Sequence, residues 1–237
     1  MTDLAPQPTD TQLFQATHAL TPANHWDHFL ARLGYKRSAH CQEPGLYALG
    51  APTPASPVFV SANYTLSFDA LRASLEGMDG YILVLDTQGI NVWCAAGKGT
   101  FGTAELASRV IATHLKDVVN HRRLILPQLG APGVAAHQVK QQTGFSIEYG
   151  PVRAADLPAY LKTHKATPEM RLVRFTLADR LVLLPVELTH TLLPTLVVAV
   201  ILYFVGGLVY SLAALAAVFA GIVLFPILLA ILFAVIR

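Results

Sequence analysis

A long uncharged stretch at the carboxyl end limits most strongly how this chain can fold. It runs from Thr191 to Ile236, 46 residues without one charged side chain. As a single helix it would be roughly 69 Å long at about 1.5 Å per residue, which far exceeds the bilayer core of about 30 Å. The sequence therefore predicts two membrane-spanning helices over residues 181–237, with their turn near Gly206-Gly207.

Basic residues flank this predicted hairpin on both sides. Arg237 follows it, and others precede it: Lys162, Lys165, Arg171, Arg174 and Arg180. Because basic flanks stay on the cytoplasmic side, we expect a protein of the cytoplasmic membrane whose preceding domain faces the cytosol. Residues 166–180 are predicted to be a basic linker. Glu187 and His190, where the first span begins, are interpreted as interfacial residues or, alternatively, as an intramembrane polar site.

The amino-terminal residues and the cysteines agree with a cytosolic domain. Residues 1–23 are polar and rich in Pro and Thr, so they predict a flexible lead-in without a signal peptide. The two cysteines, Cys41 and Cys94, are expected to stay reduced. No Cys-x-x-Cys pair is present, which predicts no zinc ribbon and no iron–sulfur cluster on this chain. The net charge of +2 gives no argument for nucleic-acid binding.

Strand and helix patterns alternate over residues 24–165. The predicted strands are Val58–Ser61, Tyr81–Leu85, Leu124–Leu126 and Ser146–Tyr149. The predicted helices cover residues 24–33, 67–75, 103–119, 134–143 and 156–162. Tyr81–Leu85 is continuously apolar, as expected for a strand buried on both faces. This alternation predicts an α/β domain with a Rossmann-like parallel sheet covered by helices.

The most informative chemistry follows the strand Tyr81–Leu85. After Asp86-Thr87-Gln88-Gly89 comes the segment Asn91-Val92-Trp93-Cys94-Ala95-Ala96-Gly97-Lys98. Ligands of parallel α/β sheets bind beyond the carboxyl ends of the strands. Small residues let a backbone lie flat against a large planar ring, Trp93 can cover such a ring, and a thiolate is a soft metal ligand. Taken alone, a cysteine such as Cys94 is more often a small buried core residue than a ligand.

Two nucleotide-binding motifs and one cobalamin motif are excluded. Residues 97–102 match Gly-x-Gly-x-x-Gly, but the first glycine comes eleven residues after Asp86 instead of in the turn after the strand. Val92 occupies the position that a Walker loop reserves for its first glycine. Asp-x-His-x-x-Gly is absent, so no histidine of that motif can be a lower cobalt ligand.

The octapeptide of residues 91–98 resembles the signature of the membrane-bound corrinoid protein of microbial mercury methylation. Segments 44–50, 56–64 and 86–89 resemble the corrinoid domain in the large subunit of corrinoid iron–sulfur proteins, so the likeness covers roughly residues 30–160. The resemblance implies a cobalamin-type corrinoid with Cys94 as the lower axial ligand of its cobalt. Lys98, one helical turn away, would favour the thiolate.

The resemblance also implies which residues surround the cofactor. In that family the octapeptide forms a helix that caps the corrin ring. The predicted contacts in this cap and just before it are Thr87, Asn91, Val92, Trp93, Cys94, Ala95, Gly97 and Lys98. The predicted lateral contacts are Gln128, Leu129, Gly130, Ala131 and Gly150. For the lateral residues, a plain strand–helix turn is an equally good interpretation.

The function implied by the resemblance is a corrinoid-dependent methyltransferase that passes a methyl group from methyl-Co(III) to Hg(II), giving methylmercury. Its implied partners are a small ferredoxin-like iron–sulfur protein as electron donor, a methyl-donor methyltransferase, Hg(II) and the cell membrane. That family has about five spans, so we expect the membrane part of this chain to be truncated or reduced. Two alternatives stay open: a methyl carrier of the acetyl-CoA pathway type, and a non-enzymatic membrane-tethered module that binds a corrinoid or a soft metal.

Overall fold

A computed structural model describes residues 13–36 and 39–236 of the chain, which form two compact units. The first unit contains the described residues of 1–23 and 38–172, and the second contains those of 24–37 and 173–237. The segment 24–36, predicted to open the α/β domain, therefore belongs with the carboxyl-terminal helices. Residues 166–172, predicted to be linker, belong with the first unit.

The first unit contains six strands and most of the short helices. The strands are β1 Leu13–Ala16, β2 Gly45–Leu49, β3 Val58–Ala62, β4 Gly80–Leu85, β5 Arg123–Leu126 and β6 Ser146–Tyr149. Helix α1, Pro22–Arg32, belongs to the second unit from Asn24 onward. The helices of the first unit are α2 Thr65–Ser74, α3 Val92–Lys98, α4 Thr103–Ala112, α5 Leu115–Val118, α6 Ala136–Thr143 and α7 Leu157–Thr163.

The six strands form one mixed sheet in the order β1-β2-β4-β3-β5-β6. β2 pairs antiparallel with β4, and the other neighbours pair parallel. The prediction of a purely parallel sheet was therefore wrong at one edge. Only residues 50–57 connect β2 to β3, and a parallel crossover needs about a dozen residues or more, so β2 runs the other way.

Two strands escaped the sequence analysis. β1 lies in the stretch predicted to be a flexible lead-in, and β2 was recognised only as part of a family resemblance. Residues 1–12 of that lead-in lie outside the described part of the chain. β1 is an edge strand with partly exposed side chains, and β2 consists of Gly45-Leu46-Tyr47-Ala48-Leu49, so neither shows the β-branched composition typical of a strand.

The sheet separates two apolar cores. Val58, Val60 and Ala62 of β3 face one core, together with residues of α4 and α6. Phe59 faces the other core, together with residues of α2 and α7. All six residues of β4 are buried, which confirms the prediction of a strand covered on both faces.

Two helix predictions needed correction at their ends. The helix predicted over 103–119 stops at Ala112, because His114 adopts a left-handed backbone with φ 46°. A short separate helix, α5, follows. The helix predicted from Val134 begins only at Ala136, because Val134 is still extended after a 3₁₀ turn over Gln128–Gly133.

The second unit consists of α1 and the carboxyl-terminal helices. These helices are α8 Leu177–Leu181, α9 Leu184–Gly206, α10 Leu208–Phe219 and α11 Phe225–Ile236, with a π-helical turn between the last two. Two helical stretches, Leu177–Gly206 and Leu208–Leu232, are long and apolar enough to cross a membrane. α9 ends at Gly206 and Gly207 has φ 78°, which confirms the predicted break.

The second apolar stretch returns along the first. α10 packs against α9, and α11 reaches α8, which precedes α9 in the chain. Most side chains of the pair face outward; Phe204 and Val205 are each 81% exposed. Such large exposed apolar surfaces mark contact with another apolar phase, so the predicted spanning hairpin remains our interpretation of these helices.

A buried ion pair attaches the chain after β1 to α2, and its loss should destabilise the first unit. Arg72 donates to Asp69 at 2.6 Å and to the carbonyl oxygens of Thr17 and Ala19 at 2.6 and 2.8 Å. Both side chains are at least 93% buried. Arg72→Met removes a buried cation that contacts Asp69 and also removes the donor to two carbonyl oxygens, so we expect the free energy of unfolding to fall by about 3–5 kcal/mol.

Chemical denaturation of the two variants measures this difference. The matched control is Arg109→Met, because Arg109 pairs with Glu105 on the same kind of helix but both side chains are nearly a quarter exposed. A partly exposed pair contributes about 1 kcal/mol or less. Equal losses in the two variants would show that the Arg72 contacts are not a buried tether.

Candidate ligand-binding site

The strand order reverses at β3. The chain runs from β3 through α2 to β4 on one side, and then through α3, α4 and α5 to β5 on the other side. Connections that leave in opposite directions open a crevice at the carboxyl ends of the two strands. β3 and β5 therefore border the place where a ligand of this sheet is expected.

A cavity of about 360 Å³ lies at this crevice. It is bordered by β3, α2, the start of α3, the end of β5 and the loop that follows β6. The lining is predominantly apolar and includes Phe59, Leu71, Val92, Trp93, Leu126, Leu129 and Val152. An apolar cavity of this size suits part of an organic cofactor better than a hydrated ion.

Residues at both ends of the cap helix α3 explain where it begins and ends. Asn91 is its N-cap, and the Asn91 Oδ1 accepts a hydrogen bond from the Cys94 backbone N–H at 3.0 Å. Gly99 ends the helix with φ 85°, a conformation that glycine adopts without strain. Ala95 and Ala96 are buried in the core on the inner face of the helix.

The outer face of α3 carries the thiol. Trp93 is 48% exposed, and Cys94, Gly97 and Lys98 are also exposed. A Cβ added at Gly97 would meet no atom within 4 Å. A glycine within a helix costs about 0.5–1 kcal/mol relative to alanine, and the protein itself offers no packing reason for one at this position. This face is therefore open at Gly97 and leaves room there for a ligand to approach the backbone.

A second glycine holds α3 against the 3₁₀ turn Gln128–Gly133. A Cβ at Gly133 would collide with the carbonyl oxygen of Phe101 and would lie 3.1 Å from the Ala96 Cα. The two backbones thus approach too closely for any side chain. This contact explains why the loop after β5 and the cap helix share one edge of the sheet.

The loop between β4 and α3 is fixed by Asn63, which follows β3 directly. Asn63 is 4% exposed, and its Oδ1 accepts hydrogen bonds from the backbone N–H groups of Thr87 and Gly89 at 3.1 and 3.0 Å. Thr87 Oγ1 lies 2.8 Å from the same oxygen and 2.7 Å from the Ile90 carbonyl oxygen. Sequence reasoning undervalued Asn63, although an amide directly after a central strand is a usable signal.

The structure distributes the predicted site residues over three environments. The cavity lining contains Asn91, Val92, Trp93 and Leu129. The outer face of α3 contains Trp93, Cys94, Gly97 and Lys98. The interior contains Thr87, Ala95, Gly130 and Gly150, with Gln128 and Ala131 partly buried.

The interior positions favour supporting roles over the predicted direct contacts. Thr87 is 0% exposed and bonded to Asn63, so it holds the loop. Gly150 donates its N–H to Leu126 O at 2.8 Å, and Gln128 Oε1 accepts from Arg171 at 2.6 Å. The lateral residues thus build the wall behind the cavity, and their contact with a ligand stays a prediction.

The cysteines form no disulfide, and both are exposed. Among the described residues there is no group of three or more His, Cys, Asp or Glu side chains that could hold a metal ion. A metal held at Cys94 would therefore need other ligands that it brings with it.

A second cavity, of about 270 Å³, lies at the opposite end of the strands, near the first residues of β3 and β5. It contains Glu148, whose carboxylate accepts from Tyr160 at 2.6 Å and lies 2.7 Å from His164 Nδ1. Burial alone would raise the pKa of Glu148, but these two hydrogen bonds hold it below its ordinary value. Burial and the bond to Glu148 raise the pKa of Tyr160. These polar groups bind one another, which leaves the apolar cavity as the better ligand site.

Fold and crevice together define a mixed α/β domain with an apolar cavity at the reversal of its strand order. A family model described as CO dehydrogenase/acetyl-CoA synthase delta subunit matches residues 17–161, and the chain belongs to this family. The match covers five of the six strands, β2 to β6, together with α3 and the loop after β5.

Curated relatives align with the same region. The acetyl-CoA decarbonylase/synthase complex subunit gamma of Methanopyrus kandleri is 36% identical over 123 residues, 51% of this chain and 26% of the relative. The subunit of that name from Archaeoglobus fulgidus is 31% identical over 122 residues, which are again 51% of this chain and 26% of the relative. The corrinoid/iron-sulfur protein large subunit of Moorella thermoacetica is 26% identical over 150 residues, 60% of this chain and 33% of the relative. The chain thus spans a quarter to a third of these relatives.

Substitution of Gly133 should loosen the cap. Gly133→Ala forces a Cβ into the backbone contact between α3 and the 3₁₀ turn, so we expect the free energy of unfolding to fall by about 1–3 kcal/mol. The matched control is Gly97→Ala, which adds the same methyl group to the open face of α3 and should leave stability unchanged or raise it by up to about 1 kcal/mol. Thermal or urea unfolding measures both, and a harmless Gly133→Ala would contradict the described packing.

Proposed function

We propose that the first unit binds a corrinoid and takes part in methyl-group transfer. Family membership and the names of the relatives support this proposal, because one relative is a corrinoid/iron-sulfur protein and others are subunits of acetyl-CoA decarbonylase/synthase. The apolar cavity at the strand reversal offers space for a part of such a cofactor.

The residues at the cap fit a large planar cofactor that contains a soft metal. Gly97 leaves room above the helix, and Trp93 offers an exposed apolar ring beside it. The Cys94 side chain supplies the one soft donor on this face, and thiolate suits cobalt better than a carboxylate does. When bound, a corrinoid supplies a cobalt ion that can carry a methyl group from a donor to an acceptor.

We propose further that the acceptor is Hg(II) and that the Cys94 thiolate would hold the cobalt of the corrinoid. The main structural support for this assignment is the exposed position of Cys94 on the open face of α3, next to Trp93 and Gly97. A thiolate donates electron density strongly, which favours delivery of the methyl group with its electrons to a soft cation. The octapeptide resemblance to mercury-methylating corrinoid proteins supports the same assignment.

A second function is favoured by the relatives' names. A methyl carrier of the acetyl-CoA pathway type would use the same fold and cofactor, and the names of the Methanopyrus and Archaeoglobus relatives support it directly. This function assigns no role to a thiol on the cap. The two candidates therefore differ at Cys94, and that residue is the place to separate them.

Further partners follow from the chemistry of the chain. The chain has two cysteines and no Cys-x-x-Cys pair, so it lacks the four cysteines that hold the common iron–sulfur clusters. A methyl-transfer cycle that changes the oxidation state of cobalt thus needs an external reductant, for which we propose a small ferredoxin-like protein. A separate methyltransferase is proposed as the source of the methyl group.

Replacement of Cys94 should abolish methylmercury formation. In the full chain loaded with corrinoid and supplied with methyl donor, reductant and Hg(II), both Cys94→Ala and Cys94→Thr are expected to reduce methylmercury to background. The matched control is Cys41→Ala, which removes the other exposed thiol outside the cap and should retain the wild-type rate.

The same preparations separate the three hypotheses. The carrier hypothesis is supported if Cys94→Ala exchanges methyl groups with the donor at the wild-type rate and wild-type protein forms no methylmercury. A purified chain without a corrin absorption spectrum, even after incubation with cobalamin, would leave only the non-enzymatic soft-metal module. Full methylmercury output from Cys94→Ala would contradict the proposed ligand.

The membrane location is a proposal with its own test. We propose that the stretches Leu177–Gly206 and Leu208–Leu232 span the cytoplasmic membrane and that the first unit faces the cytosol, given the basic residues before the first stretch. Reporter fusions at the amino terminus and after Arg237 should both be active only as cytosolic reporters. A periplasmic signal from the amino-terminal fusion would contradict this topology.

A further inference from the structure

Helix α1 presents its aromatic residues outward. Trp26 is 62% exposed and Phe29 is 50% exposed, and their rings stack with centroids 5.5 Å apart. The buried residue of this helix is the small Ala31. A surface helix of a water-soluble domain normally buries its large apolar side chains and exposes its polar ones. In α1 this arrangement is inverted.

The carboxyl end of α1 is joined to the beginning of α9 within the second unit. Thr189 Oγ1 lies 2.7 Å from the carbonyl oxygen of Leu33. Gly34 ends the helix with φ 76°, and a Cβ there would lie 3.1 Å from both His190 Nε2 and Val186 Cγ2. α1 is therefore fixed at the level where the long apolar helix begins.

Basic and amphipathic residues continue the exposed surface beyond α1. Tyr35 is 54% exposed, and Lys36 Nζ lies 5.4 Å from the centroid of its ring. Arg32, in the last turn of α1, is exposed as well. Trp and Tyr beside Lys and Arg are the residues enriched where a membrane meets water.

The size of the aromatic surface argues against a protein partner. A large aromatic side chain can bury roughly 150–250 Å², and Trp26 and Phe29 expose about half of theirs. Roughly 200 Å² is far below the ~800 Å² per partner of a stable protein interface. Binding to a bilayer does not require one continuous apolar surface of that size, because each aromatic ring can enter the lipid separately.

We propose that α1 lies in the plane of the membrane, with Trp26 and Phe29 in the boundary between headgroups and acyl chains and with Arg32 and Lys36 at the lipid phosphates. The inference rests on the proposed membrane location of α9. It assigns the segment between β1 and β2 a second contact with the lipid surface, in addition to the spanning helices.

Tryptophan fluorescence of the full chain tests this placement. Trp26 and Trp93 are the two tryptophans, so Trp93→Phe makes Trp26 the single reporter. In vesicles of phosphatidylcholine and phosphatidylglycerol we expect blue-shifted emission, protection from aqueous iodide, and stronger quenching by lipids brominated near the headgroup than by lipids brominated near the acyl terminus. Emission of vesicle-bound protein that iodide quenches as fully as it quenches free tryptophan would overturn the proposal.

A pair of threonines on α9 gives a matched comparison. In the Trp93→Phe background, Thr189→Val removes the bond to Leu33 and should raise the iodide accessibility of Trp26. Thr191→Val should not, because Thr191 Oγ1 bonds only to Glu187 and Leu188 of its own helix among the contacts described. An equal response of the two variants would contradict the attachment of α1 to α9.

Vesicle flotation separates this inference from the membrane proposal. Protein that does not float with vesicles overturns the membrane location, and the placement of α1 with it. Protein that floats while Trp26 stays open to iodide overturns only the placement of α1. Protection of Trp26 that depends on protein concentration and persists in detergent would assign the surface to a second copy of the chain, and would also overturn the proposal.

Discussion

The side-chain amide of Asn63 fixes the geometry on which the candidate site depends. Its buried oxygen accepts two backbone hydrogen bonds from the loop after β4, at Thr87 and Gly89. Buried polar atoms are almost always satisfied in this way, because an unpaired one costs about 1–3 kcal/mol. Since Asn63 itself follows β3, the amide joins the carboxyl ends of two neighbouring strands. The path of the chain into α3 is set by this connection.

The cap helix depends on its surroundings for stability. A seven-residue helix is far too short to be stable alone. Ala95 and Ala96 anchor it in the core, and the close contact at Gly133 seats it on the loop after β5. The opposite face of α3, which contains Trp93 and Cys94, remains exposed. A ligand at that face would therefore meet a rigid, preorganised surface, which reduces the entropy lost on binding.

The two units place their apolar residues in opposite ways. In the first unit the central strands are buried on both faces of the sheet. In the second unit residues such as Phe204 and Val205 point outward, and α1 does the same with Trp26. One solvent cannot favour both arrangements. Our proposal of a first unit in water and of α9 and α1 in contact with lipid would account for both arrangements.

The sequence by itself determined the elements whose patterns are local. The continuous apolar run of β4 and the break at Gly206-Gly207 follow from side-chain periodicity and glycine, which act within a few residues. The octapeptide around Cys94 also marked, without coordinates, the segment that forms α3. Tertiary structure alone decided the antiparallel pairing of β2, the buried supporting position of Thr87 and the outward face of α1. Each of these depends on which distant segment lies alongside, and no local pattern contains that information.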